Sequence, residues 1–137
     1  MITTTPFGTA PSGSPVTVYN LVCAGARVRV MDYGATILSI EVPDASGDVA
    51  DIVLGFDALD GYFDNPACYG GTIGPSANRT DKGQIEIAGT VYQMACNDGP
   101  DKANNLHTDL VRGLHKCVWN ATVDEITNTV SFTCELK

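Results

Sequence analysis

The chain has 137 residues, the size of one domain or part of one. Apolar residues make up 44% of it, enough for a real core and too many for a disordered chain. Its 16 acids against 8 bases give a net charge of −8, which repels phosphate backbones and anionic membrane surfaces, so neither nucleic acid nor a membrane is an expected partner.

The 14 glycines and 7 prolines predict many turns and few long helices. Residues 1–15 read as a flexible or loosely packed leading segment. Residues 16–23 and 27–31 read as two strands, joined through Ala24-Gly25-Ala26 as a hairpin. In Arg27-Val28-Arg29-Val30 basic and apolar residues alternate, so one face is buried and the other exposed. The alternation continues over 36–42, with Leu38, Ile40 and Val42 on one side and Ser39 and Glu41 on the other. A turn signal over 43–48 leads to a returning strand over 49–56. Residues 57–63 fit a single helical turn capped by Asp57.

Residues 64–82 are rich in Gly, Pro, Asn and Asp and form a long loop, a feature that is usually functional when ordered. A hairpin around Gly89 joins strands 84–88 and 90–94. Residues 97–113 form a second long polar loop. A last hairpin pairs 117–123 with 129–136, where Val130, Phe132, Cys134 and Leu136 alternate with Ser131, Thr133 and Glu135. Eight or nine short strands at this spacing predict an all-β antiparallel sandwich or barrel.

No apolar run approaches the ~18 residues of a membrane span, and the first residues show neither the basic nor the apolar part of a signal peptide. The five cysteines, at 23, 68, 96, 117 and 134, are far apart and lack zinc-site spacing. They read as thiols of a reducing, cytoplasmic setting.

The chemistry-bearing residues lie in the two long loops. Gly74-Pro75-Ser76-Ala77-Asn78-Arg79 supplies an amide and a guanidinium, and Asn104-Asn105-Leu106-His107 supplies an imidazole. Together they suit a neutral ligand rich in hydroxyls, such as a sugar. Taken singly, Arg79 and His107 also fit loop residues bonded to nearby carbonyls. His115 fits a packed residue better than a catalytic one. Trp119 fits a core position, although aromatic faces also stack on sugars. Asp98, Asp101 and Asp109 could hold a cation, but their spacing is not that of a calcium loop.

Three blocks resemble the aldose 1-epimerase (galactose mutarotase) family: residues 32–62, 69–94 and 97–119, in family order and spacing. The resemblance implies a large antiparallel β-sandwich, the galactose mutarotase-like supersandwich, of which residues 1–137 are the N-terminal part of a single domain. It implies interconversion of the α and β anomers of free aldoses of the glucose or galactose type. A general base removes the C1 hydroxyl proton, a general acid protonates the ring oxygen, and the ring opens and recloses, with no metal or organic cofactor. Asn78 and Arg79 match the family's sugar-binding pair. His107 matches the histidine of its Leu-His motif, which supports the ring oxygen as charge develops.

The family commonly has Leu-His-Gly-Gly where this chain reads Leu106-His107-Thr108-Asp109, and often Gly-Arg where it reads Gly74-Pro75. The family's general acid and base match no residue here, so the chain alone is expected to be inactive. A truncated reading frame, a proteolytic product or a split gene would each account for this. Exposed sheet edges and faces would then favour self-association or complementation by the missing half. The alternatives are a non-catalytic carbohydrate-binding module and an inactive fragment. A sugar-phosphate epimerase would need more basic residues than Arg79 and Lys82.

Overall fold

A computed structural model describes residues 1–135 of the chain. They divide into two compact units: Met1–Thr72 with the chain from Cys117 onward, and Ile73–Lys116. Every strand pair is antiparallel.

The first unit carries a five-stranded sheet in sequence order: β1 (Ile2–Thr9), β2 (Pro15–Cys23), β3 (Ala26–Met31), β4 (Thr36–Pro43) and β5 (Val49–Asp51). The β2/β3 hairpin forms as the alternation predicts. Cys23 pairs with Ala26 across Ala24-Gly25, and Gly25 takes a φ of 81°, which glycine adopts without a Cβ penalty. Val16, Val18 and Met31 are almost fully buried and meet Tyr33, Leu59 and Tyr62 in one core. Burying each such side chain contributes about 1.5–3 kcal/mol.

Several expectations change. Residues 1–15, expected to be loose, contain β1, which pairs with β2 from Ile2↔Leu21 to Thr9↔Pro15. Its threonines favour extended backbone, and Pro6 is tolerated because β1 lies at the sheet edge. In β4 the register passes from Arg29↔Ser39 to Val30↔Ile37, leaving Leu38 as an extra bulged residue. The clean alternation is lost there: Leu38 and Ser39 are both buried while Ile37 is exposed. The strand expected over 49–56 stops at Asp51. There Asp51 Oδ1 accepts the amides of Ile40 and Val53, each at 3.0 Å, replacing ladder bonds with side-chain ones.

The helical turn is α1 (Gly61–Asp64), capped by Asp60 rather than Asp57; the Asp60 carboxylate accepts the Gly61 amide at 2.9 Å. Tyr62 anchors it, accepting from the Phe56 amide and donating to the Phe56 carbonyl.

The second unit holds two small ladders. β6 (Arg79–Thr80) pairs with β9 (Asn105–Leu106), and β7 (Gln84–Ile87) pairs with β8 (Thr90–Gln93). The expected turn around Gly89 forms with Ala88 and Gly89 both at positive φ, 50° and 79°, the geometry that matches strand twist. The last hairpin, back in the first unit, comprises β10 (Asn120–Asp124) and β11 (Thr129–Thr133). It starts later than expected because residues 117–119 bond instead to 32–34, through Gly34 N–H to the Cys117 carbonyl and Trp119 N–H to the Asp32 carbonyl. Trp119 is half-buried at its start. Leu136, expected in this strand, and Lys137 lie outside the described residues.

Candidate functional site

All three candidate site residues fall in the second unit, and the short β6/β9 ladder brings them together. Arg79 stands opposite Leu106, so Asn78 and His107 flank the same end of the ladder. The His107 amide donates to the Asn78 carbonyl, and the Asn78 amide donates to His107 Nδ1, both at 3.1 Å. A ring whose Nδ1 accepts carries its proton on Nε2 when neutral. His107 is half-buried, and its Nε2–H is the donor left for a ligand.

The asparagine-rich sequence builds the loops by replacing backbone partners with side-chain amides. Asn97 exchanges both of its amide atoms with the backbone of Leu106, at 2.6 and 3.0 Å. Asn105 has no exposed surface. It donates to the carbonyls of Ala95 and Thr108 and accepts from the Thr108 amide.

Asn78, His107 and Thr108 lie in the left-handed region, with φ of 61°, 56° and 63°. Asparagine tolerates this, but for a β-branched threonine it is an outlier. Thr108 stands where the resembled motif has glycine, the residue such a backbone favours. Its hydroxyl binds Ser76 Oγ at 2.8 Å and the Ser76 amide at 2.9 Å, which offsets the strain.

Arg79 is 62% exposed, and its Nε donates to Asp98 Oδ2 at 2.6 Å. Asp98 is itself held by backbone exchange with Asn104. Sequence reading did not pair these two residues. They are 19 positions apart in different loops, and no local pattern joins them.

The remaining candidates take other places. Asp109 accepts the amides of Val111 and Arg112 at 2.8 Å and Arg112 Nε at 3.1 Å. The Arg112 amide above all, with the Val111 amide and the Arg112 guanidinium, holds its carboxyl below the usual value against the effect of burial. Among the described residues, no three His, Cys, Asp or Glu side chains are grouped to hold a metal ion.

His115 is 5% exposed, and neither ring nitrogen has a partner of full hydrogen-bond geometry among the described residues, although the Leu110 backbone is close enough to favour the protonated ring. Burial first, then the Lys116 charge, pushes its pKa below the usual 6.5. A Cβ on Gly113 would sit 2.8 Å from its ring, so Gly113 leaves the space it fills. His115 is a packed residue. Cavities of about 340 and 250 Å³ open on the first unit and are lined by its residues. The smaller one is lined by Arg29, Asp51 and buried Ser39, whose hydroxyl has no hydrogen-bond partner among the described residues.

The sequence profile of the aldose 1-epimerase family matches residues 18–137. Galactose mutarotase of Bos taurus is 37% identical over 133 residues, and that of Homo sapiens is 38% identical; each match covers 96% of this chain and 37% of the relative. The aldose 1-epimerase of Escherichia coli is 34% identical over 108 residues, covering 78% of this chain and 30% of the relative. The crystal structure of a galactose 1-epimerase from Lactobacillus acidophilus superposes with a TM-score of 0.72 at 23% identity, over 91% of this chain and 35% of that one. The all-β antiparallel fold is therefore that of the galactose epimerases, and the chain spans little more than a third of the mutarotases it matches.

Proposed function

The chain belongs to the aldose 1-epimerase family, and from that premise we propose that its second unit grips a free aldose whose α and β anomers are interconverted. The observation that carries this reading is the clasp between Asn78 and His107, which commits Nδ1 to the backbone and leaves Nε2–H for the sugar. A donor fixed there can support the ring oxygen as it takes up a proton. The Asn78 side-chain amide and the Arg79 guanidinium supply further donors to hydroxyls.

In this reading the acid and base that move the protons are none of these residues and come from the remainder of the family domain, of which this chain spans little more than a third. The chain alone then binds sugar without accelerating mutarotation. A polypeptide supplying the remainder, or association between copies, would complete the fold. A carbohydrate-binding module without chemistry is the second reading. The thiols at five positions suit a cytoplasmic setting.

Titration with galactose followed by NMR tests the binding. Replacing His107 by Ala should weaken it about tenfold, the effect of losing one hydrogen bond worth roughly 1–1.5 kcal/mol. Equal affinity in wild type and H107A would remove His107 from the site. Polarimetry on freshly dissolved α-galactose should show only the buffer rate. A faster rate abolished by H107A would mean that the chain is catalytically sufficient.

A further inference from the structure

Both arginines of the second unit are engaged through Nε by an aspartate: Arg79 by Asp98 at 2.6 Å and Arg112 by Asp109 at 3.1 Å. The Arg112 pair spans three residues of one turn. The Arg79 pair joins two separate loops, and it lies beside the Asn78–His107 clasp. Asp98 is the less mobile member, with a side chain 22% exposed and a backbone tied to Asn104 in both directions. A pair this exposed adds only about 0–1 kcal/mol to stability. Its larger effects are on geometry and charge.

The guanidinium is a planar fork, so fixing Nε fixes the direction of both terminal amino groups. Among the described residues those groups make no hydrogen bond. They remain oriented donors, while the carboxylate cancels the net positive charge. Oriented donors without net charge suit a hydroxyl. A phosphate or carboxylate on the ligand would instead seek an uncompensated guanidinium, and would meet the Asp98 carboxylate 2.6 Å from Arg79 Nε. Lys82, whose side chain is solvent-exposed, is the nearest other basic residue in sequence.

We propose that Asp98 sets the specificity of the site: by aiming the Arg79 guanidinium and cancelling its charge, it selects neutral aldoses and turns away sugar phosphates. The inference rests on the sugar-binding reading of Arg79. Asp98 acts through Arg79 and is a positioning residue.

The test is a pair of NMR titrations of the full chain at low salt, one with galactose and one with galactose 6-phosphate. Wild type should favour galactose. Asp98→Asn keeps the shape and removes the charge, and should shift the affinity ratio toward the phosphate by about tenfold. Asp98→Glu should restore the neutral preference. Glu86→Gln, an exposed acid on β7, removes the same charge elsewhere and should leave the ratio unchanged. A ratio in Asp98→Asn within about twofold of wild type, or an equal shift in Glu86→Gln, would overturn the specificity role and leave the sugar reading standing. Binding of neither sugar by the wild type would overturn both.

Discussion

Thr108 shows how single residues carry the site. A left-handed backbone follows His107, and the chain meets it with hydrogen bonds between Thr108 and both Ser76 and Asn105 rather than with a glycine. That two polar loops held Asn78, Arg79 and His107 was legible in the sequence, since amides, Gly and Pro cluster there. That Asp98 neutralises Arg79 was not, because the pairing depends on how two loops cross. His115 gives a pH test at this scale. Its folded pKa lies below the usual 6.5 through burial, the Lys116 charge and His107, with the Leu110 backbone and Asp109 acting the other way. The unfolded chain therefore binds this proton more readily than the native one. The stability that neutral His115 contributes is complete above pH 6.5 and is lost as pH falls below it toward the folded value. Urea unfolding at about pH 7.5 and about pH 5.5 should show a lower midpoint at acid pH, and His115→Leu should reduce that difference. An unchanged difference in the variant would place the acid sensitivity in other groups.

Among the elements, the hairpins at 15–31 and 84–93 were readable because alternation and a two-residue turn with glycine are local signals. The bulge at Leu38, the end of β5 at Asp51 and the cap at Asp60 were not. At Asp51 a carboxylate competes with the ladder bonds, and at Asp60 one takes the first helical amide. Gly70 is the clearest case of an element held by tertiary packing. It lies at a φ of +64°, its carbonyl accepts the Ile37 amide at 2.9 Å, and a Cβ there would collide with the Ile37 carbonyl oxygen. Gly70→Ala should therefore destabilise the chain by about 3 kcal/mol. Gly47→Ala is the control, at a φ of +92° with nothing within 4 Å, and should cost about 1 kcal/mol. Equal losses in chemical denaturation would show that backbone conformation alone, not the approach of Ile37, explains the glycine.

For the molecule as a whole, the informative surface is the run after β4. Val49, Ile52 and Leu54 are 63, 66 and 71% exposed, in the segment that the sequence reads as a returning strand. An apolar sheet edge with few charges is a template for pairing. The net charge of −8 opposes contact between two copies, and salt screens that repulsion. Light scattering should accordingly show association that grows with salt, and Ile52→Lys with Leu54→Lys should return the chain to a monomer. A wild type that is monomeric at every salt concentration would overturn this expectation. By itself the sequence determined the all-β antiparallel class, the family, the hairpins and the loops that hold the candidate site residues, because composition, alternation and turn chemistry are local. Only the tertiary structure decided which atom of His107 is committed to the backbone, which acid neutralises Arg79, that His115 is packed away, and that residues 1–15 contribute an edge strand. Those outcomes depend on contacts between residues far apart in the chain, where burial and hydrogen-bond satisfaction outweigh local preference.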